Sequence, residues 1–397
     1  MFKKMPFLLL LLIVFVFSFG QRLPTELLQF LLAVSVTLKA VIMFLLPIII
    51  FSLLFCAFRR IGANASSIIG LTLVMVCISN FFTTFVGHFI GEAVYGVSWD
   101  LSLPSGGRDL NPLFNFQLPK LIPNIWAMAA GIIGGICASK LPSGKIIPLT
   151  LSLDRLVAHI LHTISLTIPL LLLGFLLKMQ YDGQLTLLVR QYASVIAIII
   201  CALMTYLFAF YWIASGFSAR RALASLRNMF PAVVCAFGSM SSAAALPYTI
   251  AAVAKNTINK PLARSIVSAT TNIHLVGDCI IDMVLIYAIL RSYHFVMPSQ
   301  LLFLTFALQS VFAKFSVAAI PGGGIVVVLP IIERVFGFNG AMASLIFSMY
   351  LILDPFATTA NVLGNGAFAQ LMDRLLGSRM QKHLNGVVLE ENELQDT

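Results

Sequence analysis

"GSMSSAAALP", residues 238–247, interrupts an apolar region with small residues and ends on a proline. The apolar arms on either side run roughly 10–17 residues each, whereas a membrane-crossing helix needs about 20. Neither arm crosses alone, so the segment reads as a re-entrant hairpin with its tip at the serines. Irregular backbone at membrane depth survives only where protein or a water-filled cavity covers it. A second break, "AAIPGGG" at residues 318–324, follows after one full span over residues 262–290. Another span succeeds it. The C-terminal half therefore reads hairpin, span, hairpin, span, which is one unit used twice. Arg220 and Lys255 flank the first hairpin on one side and place its entrance at the cytoplasm. The second, between Tyr293 and Phe338, then enters from outside. The repeat is inverted, and paired interrupted segments of this kind mark the binding site in secondary transporters.

Composition agrees with a membrane interior. Of 397 residues, 59% are hydrophobic and only 10% charged, with a mean hydropathy of +0.98. Soluble domains average roughly 25% charged residues. The apolar runs are continuous and long, which excludes a transmembrane barrel of alternating ten-residue strands. The fold class is an all-α polytopic membrane protein. The net charge of +10 sits in short loops between apolar runs, the pattern of cytoplasmic loops and not of a nucleic-acid surface. Cys56, Cys77, Cys137, Cys201, Cys235 and Cys279 all lie in apolar stretches without metal-like spacing and read as small buried thiols.

Six runs precede the first hairpin. Lys3 and Lys4 lead an apolar run over residues 6–20, which fits a signal peptide or a first span with its N-terminus inside; the uncleaved span is preferred. Further runs cover residues 27–58, 67–97, 125–139, 156–177 and 187–217. A water-like stretch at 98–124 is bracketed by Trp99 and Trp126, as interfacial anchors would be. The inside set holds Arg59, Arg60, Lys140, Lys145, Arg155, Arg220, Arg221 and Arg227. The outside set includes Arg108, Lys120 and Lys178. Both termini are therefore expected in the cytoplasm. The polar tail, residues 381–397, reads as a disordered cytoplasmic extension.

Polar residues inside these runs carry the functional reading. Asp354, Thr358, Asn361 and Asn365 recur at helical spacing on one face. A charge at the bilayer centre costs about 2.5–3.5 kcal/mol on insertion scales, so this face turns to a cavity. A seam of interhelical hydrogen bonds would need only the Thr and Asn residues. In the preceding span Thr271, His274, Asp278 and Asp282 share a face, and His274 can pair with Asp278 four residues on. Such a pair is a candidate for proton or cation coupling, or else a mutually satisfied structural pair. Ser239, Ser241 and Ser242 at one tip, and Pro321, Gly322, Gly323 and Gly324 at the other, would offer helix N-terminal N–H groups to a carboxylate. Lys39 can snorkel. His88 and Glu92 read as an interfacial pair, and His159 and His162 as structural. No HExxH, GxSxG, P-loop or CxxC is present, so neither an ATP-driven pump nor a membrane hydrolase has a visible engine. A channel would need polar residues along a whole pore, and here they converge at mid-membrane.

"SMSSAAALP", the glycine-bearing span after it, "AAIPGGG" and "LDPFATTANVLGNGAF" (residues 353–368) resemble, in order, the conserved elements of the dicarboxylate/amino acid:cation symporters, the glutamate transporter family. The resemblance covers nearly the whole chain and is specific in its C-terminal half. It implies a homotrimer in the plasma or inner membrane, each protomer with eight spans and two hairpins. Residues 1–217 would hold six spans, with spans one, two, four and five as the trimer scaffold. Residues 218–380 would form the transport core, joined by spans three and six and moving as an elevator.

By position, the resemblance implies that Asp354 binds a substrate α-amino group. Asn361 and Thr358 would bind substrate polar atoms, and Ser241, Ser242 and the Pro321–Gly322–Gly323 tip the carboxylate. The sequence departs from the family at three places. The resemblance implies cation-coupled symport of an amino acid or dicarboxylate; Ala357 stands where members taking acidic substrates carry an arginine, which makes a neutral amino acid the alternative. Aligned on Gly277, Val276 replaces a sodium-ligating aspartate, and Asn365 replaces another. The small-molecule substrate would still travel with Na⁺ or H⁺ and with no resident cofactor. Na⁺ would be held at Gly277, Asp278, Asn361 and Asn365, or a proton by His274 with Asp278, assisted by Thr271.

Overall fold

The computed structural model describes residues 5–63, 67–97, 110–116, 118–119, 122, 124–141, 143–181, 184–317 and 322–395. Lys3, Lys4, Trp99, Arg108, Lys120 and Pro321 lie outside them. Among the described residues every regular element is helical. The first half holds α1 (Met5–Phe19), α2 (Thr25–Ala63), α3 (Ser67–Gly96), α4 (Asn124–Ser139), α5 (Ser143–Tyr181) and α6 (Gln184–Ala214). The second holds α7 (Ala219–Asn228), α8 (Phe230–Ser239), α9 (Ser242–Asn256), α10 (Lys260–Thr270), α11 (Val276–Ser292), α12 (Gln300–Lys314), α13 (Gly323–Phe336) and α14 (Gly340–Gln395).

By length and hydropathy alone, four described segments would each cross a bilayer: Thr25–Cys56, Gly70–Gly96, Tyr192–Ala214 and Gly340–Leu376. On α3 and α6, Ile78, Phe82, Phe89 and Met204 face outward. That is unfavourable in water and natural against lipid. Cys137 and Cys201 are exposed as well, so the expectation of six buried thiols holds for Cys56 and Cys279 but not for these two. An exposed thiol behaves as a small hydrophobe against lipid, so burial is not required of it.

The helices pack in two groups. In one, α2 lies against α4 and α5. Small residues set the distance: a Cβ on Gly131 of α4 would stand 2.8 Å from the Phe51 carbonyl, and Gly174 of α5 sits on Ser35 and Leu31. Helices in membranes approach closely where glycine removes the side chain. In the other group α11 lies between α3 and α14, with α6 behind. Gly87 and Gly91 of α3 meet Cys279, Met283 and Tyr287 of α11. Sixteen of the 17 residues of α11 are buried.

Both sequence breaks appear as chain reversals. α8 ends at Met240 in the left-handed region (φ 50°), and Ser241 caps α9. α12 ends at Lys314, and α13 starts after Gly322 (φ 73°). A Cβ on Gly322 would also approach Leu351 to 2.7 Å, so both conformation and space call for glycine there.

Three expectations are corrected. The seventh span is not continuous, because it breaks between α10 and α11. The break is tenable because Asn80 of α3 supplies the missing partners, donating to the Ile273 carbonyl (2.7 Å) and accepting from the Leu275 N–H (3.1 Å). Lys39 does not snorkel; its ammonium meets Glu333 of α13 at 3.4 Å. The tail from residue 381 continues α14 to Gln395, in keeping with its run of Leu, Glu and Gln, all good helix formers.

Candidate functional site

The two hairpin tips, the break before α11 and the middle of α14 converge on one cavity. Its described lining includes Met240 and Ser242 of the first tip, Thr271, Asn272 and Leu275 of the break, and Asp278 of α11. Val317 and Gly324 come from the second hairpin, and Tyr350, Asp354, Thr358 and Asn361 from α14. The open space is about 20 Å³, room for about one water molecule. Two carboxylates line it, and no Lys or Arg does so among the described residues.

Asp354 is 4% exposed. Its Oδ2 accepts from the Gly322 N–H at 2.8 Å, and its Oδ1 from the Thr358 hydroxyl at 3.3 Å. No ion pair to Asp354 occurs among the described residues. A carboxylate capping the first turn of α13 favours the positive end of that helix, so Asp354 ties the second tip to α14. Asn361 bridges α11 and α14: its Oδ1 accepts from the Gly277 N–H (2.8 Å) and its Nδ2 donates to Asp278 Oδ1 (3.0 Å). Gly277 permits this approach, since a Cβ there would lie 2.5 Å from the Ala357 carbonyl. Tyr350 also donates to Asp278.

The residues singled out from sequence separate into three sets. Ser242, Thr271, Asp278, Asp354, Thr358 and Asn361 line the cavity. Gly277, Asn365, Ala357 and His274 lie behind it. Asn365 donates to the carbonyls of His274 (3.2 Å) and Asn361 (2.9 Å). Ala357 packs against Gly277 and is absent from the described lining. Ser241 caps α9, with its hydroxyl accepting from the Ala244 N–H. Gly322 and Gly323 open α13, and Pro321 is outside the described residues.

The expected His274–Asp278 pair does not form. His274 precedes α11, so the four-residue helical spacing fails, and its Nε2 meets the Ser79 hydroxyl at 2.8 Å while its ring packs on Phe368. His88 does pair with Glu92 at 3.4 Å, but it is buried and stacked on Phe303 (3.8 Å), so the pair is more interior than interfacial.

Sequence reading missed Tyr350, Asn80 and Lys314. Tyr350 had a signal, since it extends the polar stripe of α14 by one turn above Asp354. Lys314 had one too, as an isolated charge in an apolar arm.

Comparison with known proteins decides the family. The sequence profile of the sodium:dicarboxylate symporter family matches residues 5–375. The chain belongs to that family. Among curated relatives the chain is 23% identical to excitatory amino acid transporter 1 of Rattus norvegicus over 247 residues, 61% of this chain and 44% of that one. It is 25% identical to the protein of that name from Ambystoma tigrinum over 172 residues, 42% of this chain and 31% of the other. The chain thus spans less than half the length of the curated relatives it matches. It is an integral membrane protein of a family of carriers, not of enzymes.

Proposed function

We propose that this chain is a secondary active carrier that moves a neutral amino acid with a cation across the plasma or inner membrane. One observation carries the reading: a buried carboxylate, Asp354, faces a cavity between two hairpin tips and has no cationic partner among the described residues. A substrate ammonium group supplies the missing charge. The substrate carboxylate then lies toward Ser242 and the N–H groups opening α9 and α13, where helix ends favour an anion. Thr358 and Asn361 complete the polar contacts. The lack of a lysine or arginine in the described lining supports a neutral substrate over a dicarboxylate, because a second carboxylate there would face Asp278 and Asp354 unpaired.

The cavity is smaller than any amino acid, so loading requires a hairpin tip to move. Asp354 holds the second tip through Gly322, which makes that hairpin the outer gate in this reading. The carrier works as a homotrimer with cytoplasmic termini, eight spans and two hairpins per protomer. The group of α3, α6 and α7–α14 slides as an elevator along the scaffold group of α1, α2, α4 and α5.

Thermal unfolding of the purified protein with a panel of amino acids, with and without Na⁺, tests this. Neutral amino acids should raise Tm, and Asp354→Asn should abolish the rise. Stabilisation by aspartate or glutamate at low concentration, or unchanged binding of succinate to the variant, would overturn the neutral amino acid reading.

A further inference from the structure

Beneath the cavity floor lies a buried cation that the transport reading does not use. Lys314, the last residue of α12, is 1% exposed, and its Nζ stands 3.0 Å from Asp282 Oδ2. Asp282 lies one turn beyond Asp278 on α11, and the Lys314 charge acts on both carboxylates. The other oxygen of Asp282 has no hydrogen-bond partner among the described residues. The second arm of the same hairpin reaches the other acid: a Cβ on Gly324 would stand 2.5 Å from Asp278 Oδ2. Both arms of the second hairpin therefore close on one acidic pair, one with a lysine and one with bare backbone.

We infer that the Lys314 ammonium is a tethered coupling cation, holding at the Asp278–Asp282 pair the place a free metal cation would otherwise take. Two buried carboxylates one turn apart need a positive charge between them, since an uncompensated buried charge is strongly destabilising. A mobile ion would meet this need only while bound and would leave with each cycle. Lys314 meets it permanently and moves with its hairpin. The oxygens around Asp278 are correspondingly engaged by protein groups, Asn361 and Tyr350. The inference rests on the carrier reading, and it predicts that one fewer mobile cation is bound than these acids would take without the lysine.

The full-length protein in detergent tests it with NaCl alone, against choline chloride at equal ionic strength, so no substrate is needed. In Lys314→Met, Na⁺ should raise Tm by on the order of 3 °C more than it raises wild type. Asp278→Asn added to that variant should remove the increment. A lysine with a merely structural role would lower Tm equally in both salts, and that result overturns the proposal. Should Lys314→Met fail to fold, Lys314→Gln keeps a neutral polar group beside Asp282 and leaves both carboxylates without the ammonium. The same Na⁺ increment is expected there, and its absence also overturns the proposal. Failure of the amino acid carrier reading would appear separately, in the Asp354→Asn binding data, and would leave the Na⁺ increment intact.

Discussion

Asn80 shows how one side chain can hold a break in a membrane helix. It replaces two lost backbone hydrogen bonds with one amide, reaching 193 and 195 residues along the chain. Asn80→Ala would leave a buried carbonyl and a buried N–H without partners, at about 1–3 kcal/mol each. The expected outcome is a lower unfolding midpoint, with amide exchange quickened more in the break at residues 273–275 than within α11. At this scale the sequence was half readable. A polar residue inside the apolar run 67–97 was visible, but its partners were not, because nothing in local spacing connects α3 to the break before α11. The same limit misplaced His274. Its spacing from Asp278 is right for a helix, and the helix starts after it.

Elements were most readable where backbone chemistry forced them. Both hairpin tips announce themselves by Gly, Ser and Pro, residues that reverse a chain cheaply. The break between α10 and α11 has no such punctuation before Gly277, and the tertiary bonds of Asn80 help to hold it open. The exit of the first hairpin is likewise secured from a distance. Asp373 of α14 accepts from the N–H groups of Ile258 (2.8 Å) and Asn259 (3.0 Å), one with each carboxylate oxygen. These bonds pin the junction of α9 and α10 to α14. Asp373→Asn keeps one acceptor and turns an NH₂ toward the other N–H, so the junction should lose about 1–3 kcal/mol. Hydrogen exchange should quicken at residues 257–263 while the second hairpin keeps its protection; a uniform change across both hairpins would contradict a local joint.

The whole molecule is two packed groups that meet sparingly. The sequence showed the apolar runs but not their allegiance, which depends on where glycines such as Gly87, Gly91, Gly131 and Gly174 let particular helices touch. Between the groups, Lys39 of α2 meets Glu333 of α13. Being about a quarter exposed on each side, this pair contributes about 0–1 kcal/mol, little enough to yield in the proposed elevator movement. In a cysteine-free background, joining Lys39→Cys to Glu333→Cys with a bifunctional thiol reagent should stop uptake, and cleaving the link should restore it. Full uptake by the linked protein would exclude the elevator movement.

The enclosure of α11 has a mechanical consequence. A helix with one unburied residue in 17 touches almost no lipid, so bilayer thickness cannot tilt or stretch it directly. Mismatch with a thinner or thicker membrane is absorbed by the outward-facing helices, chiefly α3 and α6. The acids, the lysine and the cavity they border are thereby insulated from the composition of the membrane in which the protein sits.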